Sequence, residues 1–242
     1  MSEDKQHLKR PDIRDKKRGT RRERMHDLDL SPSQRQLLES LVARKRTKEI
    51  EATRLRETSE SLRESLFPEQ RIFFDSTRKK KLARCSRRAG KTHLSAVILL
   101  CAAIEYPGSL VPYITLSMKN ARRILWATLH ELDLQFGINL EFRANDLTAT
   151  LSNGSQIILA GATDYEEVQK LRGPKYGAVI LDEVQSMKAS VCRTLVADIL
   201  EPATMDLDGT ICASFTPSAS AAGYAYDIDH LEDAWERHHW TM

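Results

Sequence analysis

Apolar positions in the first third of the chain fall at helical spacing. Ser31-Pro32 reads as a helix start, Leu37, Leu38, Leu41 and Val42 recur on one side, and Ile50, Leu55, Leu62 and Leu66 carry the stripe onward among many Glu and Arg residues. The pattern predicts a helix or helical pair over 31–66. Its stripe is thin, which suits packing on a core or on a partner rather than forming a core alone. Phe67-Pro68-Glu69-Gln70 breaks it, and a short amphipathic helix comes next over 70–76. Beyond residue 80 the pattern alternates between strands and helices. Strand candidates are 81–85, 111–117, 176–183 and 209–215, the third with four apolar residues between Gly177 and Asp182, as a buried parallel strand requires. Helix candidates are 93–104, 119–136, 164–171 and 189–200, and the alternation predicts an α/β fold.

Residues 140–162 break that rhythm. Leu140-Glu-Phe-Arg, Leu147-Thr-Ala-Thr-Leu and Ile157-Ile-Leu-Ala read as strands, and Asn153-Gly154 is a hairpin turn signal, so an antiparallel ribbon inserted between parallel elements is expected. Residues 1–30 lack apolar periodicity and carry Lys16-Lys17-Arg18 and Arg21-Arg22-Glu23-Arg24. They are expected to be a disordered charged arm, either a solvated tail or a basic contact for DNA phosphates. The domain expectation is therefore arm 1–30, helical extension 31–66 and a catalytic α/β domain 67–242.

Composition narrows the class. Of 242 residues 41% are hydrophobic, enough for one large core, and the formal charge of +3 is too small to argue for nucleic acid by itself. The longest apolar run, 96–104, is too short to span a bilayer, and no apolar signal core opens the chain, so an intracellular protein without a membrane partner is expected. Cys85, Cys101, Cys192 and Cys212 stand far apart without C-x-x-C spacing, which argues for reduced thiols rather than a zinc site or disulfides.

The candidate chemistry lies at two strand ends. Arg84-Cys85-Ser86-Arg87-Arg88-Ala89-Gly90-Lys91-Thr92 joins a strand to a helix, where backbone N–H groups and a helix N-terminus face an anion. In a P-loop, Lys91 reaches the β- and γ-phosphates, Thr92 holds Mg²⁺ and Gly90 lets the backbone approach; Ser86, Arg88 and Ala89 complete the cradle. Cys85 stands where the pattern wants its first Gly. Asp182-Glu183 ends the buried strand, where Asp182 would hold Mg²⁺ and Glu183 would polarise the attacking water. The pair read alone could equally cap a helix starting near Ser186. Gln70, about fifteen residues before the loop, offers an amide that could read an adenine edge or could be a plain helix residue.

The order of Gln70, Cys85 to Thr92, Asn153-Gly154-Ser155, Leu171-Arg172-Gly173, Ile180 to Glu183 and Ser214-Phe215-Thr216-Pro217 resembles the large terminase subunit of tailed phages, over roughly 65–242. The closing His238-His239-Trp240-Thr241-Met242 looks like the stretch that succeeds that family's ATPase core. The resemblance implies a P-loop NTPase of the ASCE/RecA-like kind that binds ATP and Mg²⁺. It implies an arginine within the loop, Arg87 or alternatively Arg88, that senses or stabilises the γ-phosphate. It also implies a trans-acting finger at Arg172 and a coupling position at Thr216. The expected partners are double-stranded DNA, a portal protein, a small terminase subunit and further copies in a ring, five by resemblance. The expected place is the host cytoplasm, transiently at the procapsid portal. The family's nuclease domain is not expected in this chain, and Asp227, Asp229, Glu232 and Asp233 are expected on a solvated helix face. The alternatives are a superfamily 2 helicase fragment and a non-catalytic nucleic-acid-binding scaffold.

Overall fold

The computed structural model describes residues 31–217 and 222–241. The proposed charged arm, 1–30, lies outside the described residues. The chain divides into two units, Met1–Lys48 and Glu49–Met242. In the first, helix α1 (Pro32–Glu64) starts at a capping box: Ser31 N–H donates to Gln34 Oε1 at 2.9 Å and Gln34 N–H to Ser31 Oγ at 3.4 Å. No Gly or Pro interrupts residues 33–64, so the expected helix or pair is one helix of 33 residues. The unit boundary falls inside it, between Lys48 and Glu49. From Glu49 onward it belongs to the second unit, where Leu55, Thr58 and Leu62 are buried.

The second unit continues with α2 (Pro68–Asp75), β1 (Lys80–Cys85), α3 (Lys91–Glu105) and β2 (Leu110–Thr115). One continuous helical stretch comes next: α4 (Met118–Ala121), a π-helical turn (Arg122–Trp126) and α5 (Ala127–Phe136). Then come β3 (Glu141–Arg143), β4 (Thr148–Thr150), β5 (Gln156–Gly161), α6 (Tyr165–Gln169) and β6 (Ala178–Leu181). A second helical stretch runs through α7 (Ala189–Thr194), a π-helical segment (Leu195–Leu200) and α8 (Glu201–Met205). The chain closes with β7 (Thr210–Phe215), α9 (Tyr224–His230) and β8 (Glu236–Trp240).

Among the described residues eight strands form one sheet in the order β3-β4-β5-β2-β6-β7-β1-β8. From β5 to β8 all neighbours are parallel, whereas β4 pairs antiparallel with β3 and β5. The ribbon, inserted between parallel elements along the chain, thus extends one edge of the sheet. Its turn is where Asn153-Gly154 places it: Gly154 adopts φ +86°, and Asn153 Nδ2 donates to the Ala103 carbonyl at 2.8 Å, tying the turn to the end of α3. The other edge departs from expectation. Residues 236–240 are a sixth parallel strand beside β1, not a segment trailing the core.

Period-two alternation sends side chains to two apolar layers. Ala83, Cys85, Ala178, Ile180 and Cys212 pack with α1, α3 and α5, while Leu82, Val179, Leu181, Ile211 and Ala213 pack with Val191, Leu195, Ile199 and Ile228. The basic run 78–81 is not a uniform surface patch. Lys81 is 3% exposed and its ammonium donates to the carbonyls of Phe73 (3.0 Å), Phe74 (3.2 Å) and Ser76 (3.1 Å), a cation at the C-terminus of α2.

The acidic residues near the end also differ from a solvated face. Helix α9 stops at His230, before Glu232 and Asp233. Asp229 is buried against Arg84 at 3.1 Å, Asp227 accepts from Arg193, and Glu232 accepts from the Trp235 indole at 3.1 Å. Their cation and indole partners on β1, α7 and β8's approach account for the difference. Among the described residues no His, Cys, Asp or Glu group could hold a metal by itself, and no helix is long and apolar enough to cross a membrane.

Candidate nucleotide site

The site forms at the C-terminal ends of β1, β7 and β6, three neighbours in the sheet. Beyond β1 the loop 86–90 turns into α3. Positive φ falls at Arg88 (+63°) and Gly90 (+74°) but not at Arg87 or Ala89, so the sign of φ alternates. That alternation curls successive N–H groups toward one side, as an anion-binding nest requires. It also explains why a cysteine is tolerated where the motif wants glycine: Cys85 is still in β1, paired in register with Trp240, and has ordinary φ. Burial pushes its thiol up to about 12, so it remains a protonated core group.

Gly90 is the one loop position where a side chain is impossible on two counts. Its φ is positive, and a Cβ would stand 2.6 Å from Gln70 Nε2 and 3.3 Å from Phe67 Cε1. Ser86 is half-buried with its hydroxyl turned to the Arg87 carbonyl at 3.4 Å, Ala89 is buried, and Arg87 and Arg88 are exposed. Thr92 lies half-buried in the first turn of α3, whose N–H groups have no carbonyl inside the helix to meet.

Lys91 is the centre of the arrangement. Its side chain is 10% exposed, and the ammonium donates to Thr216 Oγ1 at 2.8 Å and to the Ser86 carbonyl at 3.4 Å, with Glu183 Oε1 3.9 Å away. Asp182 is 2% exposed and accepts from the Tyr113 phenol, from the Ser214 hydroxyl and from the Glu183 N–H at 3.0 Å. A carboxylate has about four lone-pair sites, so three donors leave roughly one for a metal or its water. Burial, with the adjoining Asp182 carboxylate, pushes the Tyr113 phenol well above its ordinary value and keeps it a donor. Glu183 adopts φ +56° at the N-terminal boundary of a 3₁₀ turn, Val184–Ser186, and makes no side-chain capping bond to it; its Oε2 accepts from Gln185 Nε2.

The fold thus brings together Ser86, Ala89, Gly90, Lys91, Thr92, Asp182, Glu183 and Thr216. Arg172 stands apart: it is exposed after α6, with its Nε donating to Gln169 Oε1 at 3.0 Å. Gln70 is 1% exposed, and its Nε2 donates to the Gly90 carbonyl at 2.9 Å, so the amide bears on the loop instead of standing open as a surface helix residue. Three contributors went unassigned in the sequence. Tyr113 carries no motif signal, Ser214 shares one strand face with Thr216 at i, i+2, and Trp240 reaches the Ala89 carbonyl with its indole N–H at 2.8 Å.

A cradle with alternating φ, an interior cation, and a buried carboxylate with a remaining acceptor site fit a nucleoside triphosphate and its divalent cation. No family model and no curated protein matches the chain. Solved structures do. The large terminase ATPase domain of Thermus phage P74-26 aligns at 19% identity over 72% of this chain and 80% of that one, with a TM-score of 0.56. The large terminase of a thermophilic bacteriophage, in complex with ADP, aligns at 19% identity over 73% of this chain and 45% of that one, TM-score 0.60. The HK97 bacteriophage large terminase aligns at 15% over 72% and 39%, TM-score 0.57. The chain therefore spans under half the length of those last two large terminases. At these identities the likeness carries architecture, and the chain has the mostly parallel α/β P-loop fold of phage large-terminase ATPase domains.

Proposed function

We propose that this chain is the ATPase portion of a phage large terminase, hydrolysing Mg²⁺–ATP to drive double-stranded DNA into a procapsid. The observation that carries the reading is the convergence of Lys91, Thr216, Asp182 and Glu183 at three adjacent strand ends. Structures of the thermophilic bacteriophage large terminase in complex with ADP and with ATP-gamma-S support the choice of ligand.

In this reading the loop from Ser86 through Ala89 and Gly90 to Thr92 receives the phosphates, with Lys91 supplying a fixed cation. Thr92 and the free acceptor site of Asp182 hold Mg²⁺. The bound Mg²⁺–ATP supplies the phosphoanhydride to be cleaved and the metal that neutralises its charge. Glu183 takes the proton of the attacking water; its left-handed backbone and the Gln185 amide fix where that carboxylate points. Arg87 or Arg88 answers the charge that develops at the γ-phosphate, and Arg172, exposed, is available to a neighbouring subunit. Thr216, bonded to Lys91, is placed to report the state of the pocket along β7. A homo-oligomeric ring, five subunits by analogy, with a portal protein and a small terminase subunit as partners in the host cytoplasm, completes the proposal.

The test is steady-state ATP hydrolysis over a protein concentration series, with and without duplex DNA. Turnover that rises with concentration supports sites completed by neighbours. Glu183→Gln should keep nucleotide binding while losing about 10²–10⁴-fold in turnover, and Lys91→Ala should lose binding. Concentration-independent turnover would instead indicate a self-sufficient helicase-like translocase, and absence of both binding and turnover a scaffold.

A further inference from the structure

Two successive carbonyls of the phosphate loop are each held from outside the loop by a buried side-chain N–H. Trp240, 4% exposed at the end of the edge strand β8, donates its indole N–H to the Ala89 carbonyl at 2.8 Å. Gln70, on α2, donates to the Gly90 carbonyl at 2.9 Å; that carbonyl also accepts the first helical bond of α3, from Leu94 N–H at 3.1 Å. The two donors come from opposite ends of the catalytic domain, and aromatic edges hold the indole: Phe67 and Phe73 meet its ring at centroid distances of 6.4 and 6.0 Å.

A trans peptide is planar, with its C=O and the next N–H pointing in opposite directions. Fixing the Ala89 oxygen therefore aims the Gly90 N–H, and fixing the Gly90 oxygen aims the Lys91 N–H. These are the N–H groups at the mouth of the nest, where the left-handed Gly90 meets the helix terminus. Resting on the triphosphate-binding reading above, we propose that Trp240 and Gln70 are positioning residues that preset these two N–H groups for a phosphate chain, independent of the base attached to it. An edge strand that looks dispensable to the nucleotide site is, on this account, its outer brace. Gln70 Oε1 is buried without a partner among the described residues, which leaves a base-reading role as the competing outcome.

The test measures binding of Mg²⁺–ATP, Mg²⁺–GTP and Mg²⁺–tripolyphosphate by calorimetry, beside thermal unfolding. Trp240→Phe keeps a ring and removes only the N–H; Gln70→Leu removes the amide. Each should weaken all three ligands by the same factor, about three- to tenfold. Phe73→Leu, which loosens packing on the indole without removing the N–H, should lower the unfolding temperature and leave the three affinities unchanged. Trp240→Phe binding tripolyphosphate like the wild type overturns the brace, and so does a Gln70→Leu loss confined to ATP. Equal loss of affinity in Phe73→Leu would reduce Trp240 to a packing residue. A wild-type protein that binds none of the three ligands overturns the functional reading itself.

Discussion

The Lys91 ammonium donates to the Thr216 hydroxyl at 2.8 Å, joining the start of α3 to the end of β7 across the mouth of the site. The same cation lies 3.9 Å from Glu183. Thr216 therefore competes with Glu183 for the Lys91 charge. Thr216→Val keeps the shape and removes the acceptor, which leaves Lys91 biased toward Glu183. Turnover should fall about fivefold, the worth of a hydrogen bond near 1 kcal/mol, with a smaller change in KM. A raised KM with turnover unchanged would place Thr216 in ligand binding alone.

Asp182 is held by Tyr113, Ser214 and its own neighbour's N–H. Tyr113→Phe removes one donor to a buried carboxylate and should lower the unfolding free energy by about 1.5–3 kcal/mol, read by denaturant titration. The released acceptor site should also shift the Mg²⁺ dependence of nucleotide binding. A variant as stable as wild type, with the same Mg²⁺ dependence, would show that the phenol does not hold Asp182.

Arg172 is exposed and does not join the Lys91 cluster within one chain. If it completes a neighbour's site, mixing Arg172→Ala with Lys91→Ala should restore part of the activity that each lacks. Assembled mixtures that stay inactive would confine Arg172 to its own subunit.

Arg63 grips Asp75 with two bonds, Nε to Oδ1 at 2.7 Å and a terminal nitrogen to Oδ2 at 2.6 Å, pinning α1 to α2. The hydrogen bonds from Arg63 hold the Asp75 carboxyl below its ordinary 3.8. Because the folded value is depressed, the stabilisation is complete above pH 3.8 and disappears as pH falls through the folded value. The pair is partly exposed and screened by water, so Arg63→Gln should cost only a small loss of stability at about pH 7. The gap between variant and wild type, measured by urea unfolding, should close below pH 3.8; a gap that persists there would assign the effect to packing.

Much of the site was legible because its chemistry is contiguous. Asp182-Glu183 sits just past a run of four apolar strand residues and Gly90-Lys91-Thr92 just before an apolar helical run, and local pattern alone places them at element ends. Gln70 was legible as a residue but not in its orientation, which depends on how α2 lies over the loop. The acidic residues 227–233 misled because a charge is solvated or paired according to partners distant in sequence: Arg84 is 145 residues from Asp229. Lys81 was legible only as the start of a strand; that its ammonium meets the last carbonyls of α2 depends on how α2 lies beside β1.

Most elements, though not β8, and the two ends of the site could be read from the residues alone, because hydrophobic period, turn residues and short motifs are encoded within a few positions of one another. The folded chain was needed for the strand order that lays β7 between β6 and β1, for the Tyr113 and Ser214 hold on Asp182, and for the return of Trp240 to the Ala89 carbonyl. Parallel pairing gives no local signal of which strands become neighbours, since crossover connections separate them by many residues and the choice is made by the packing of both apolar layers at once.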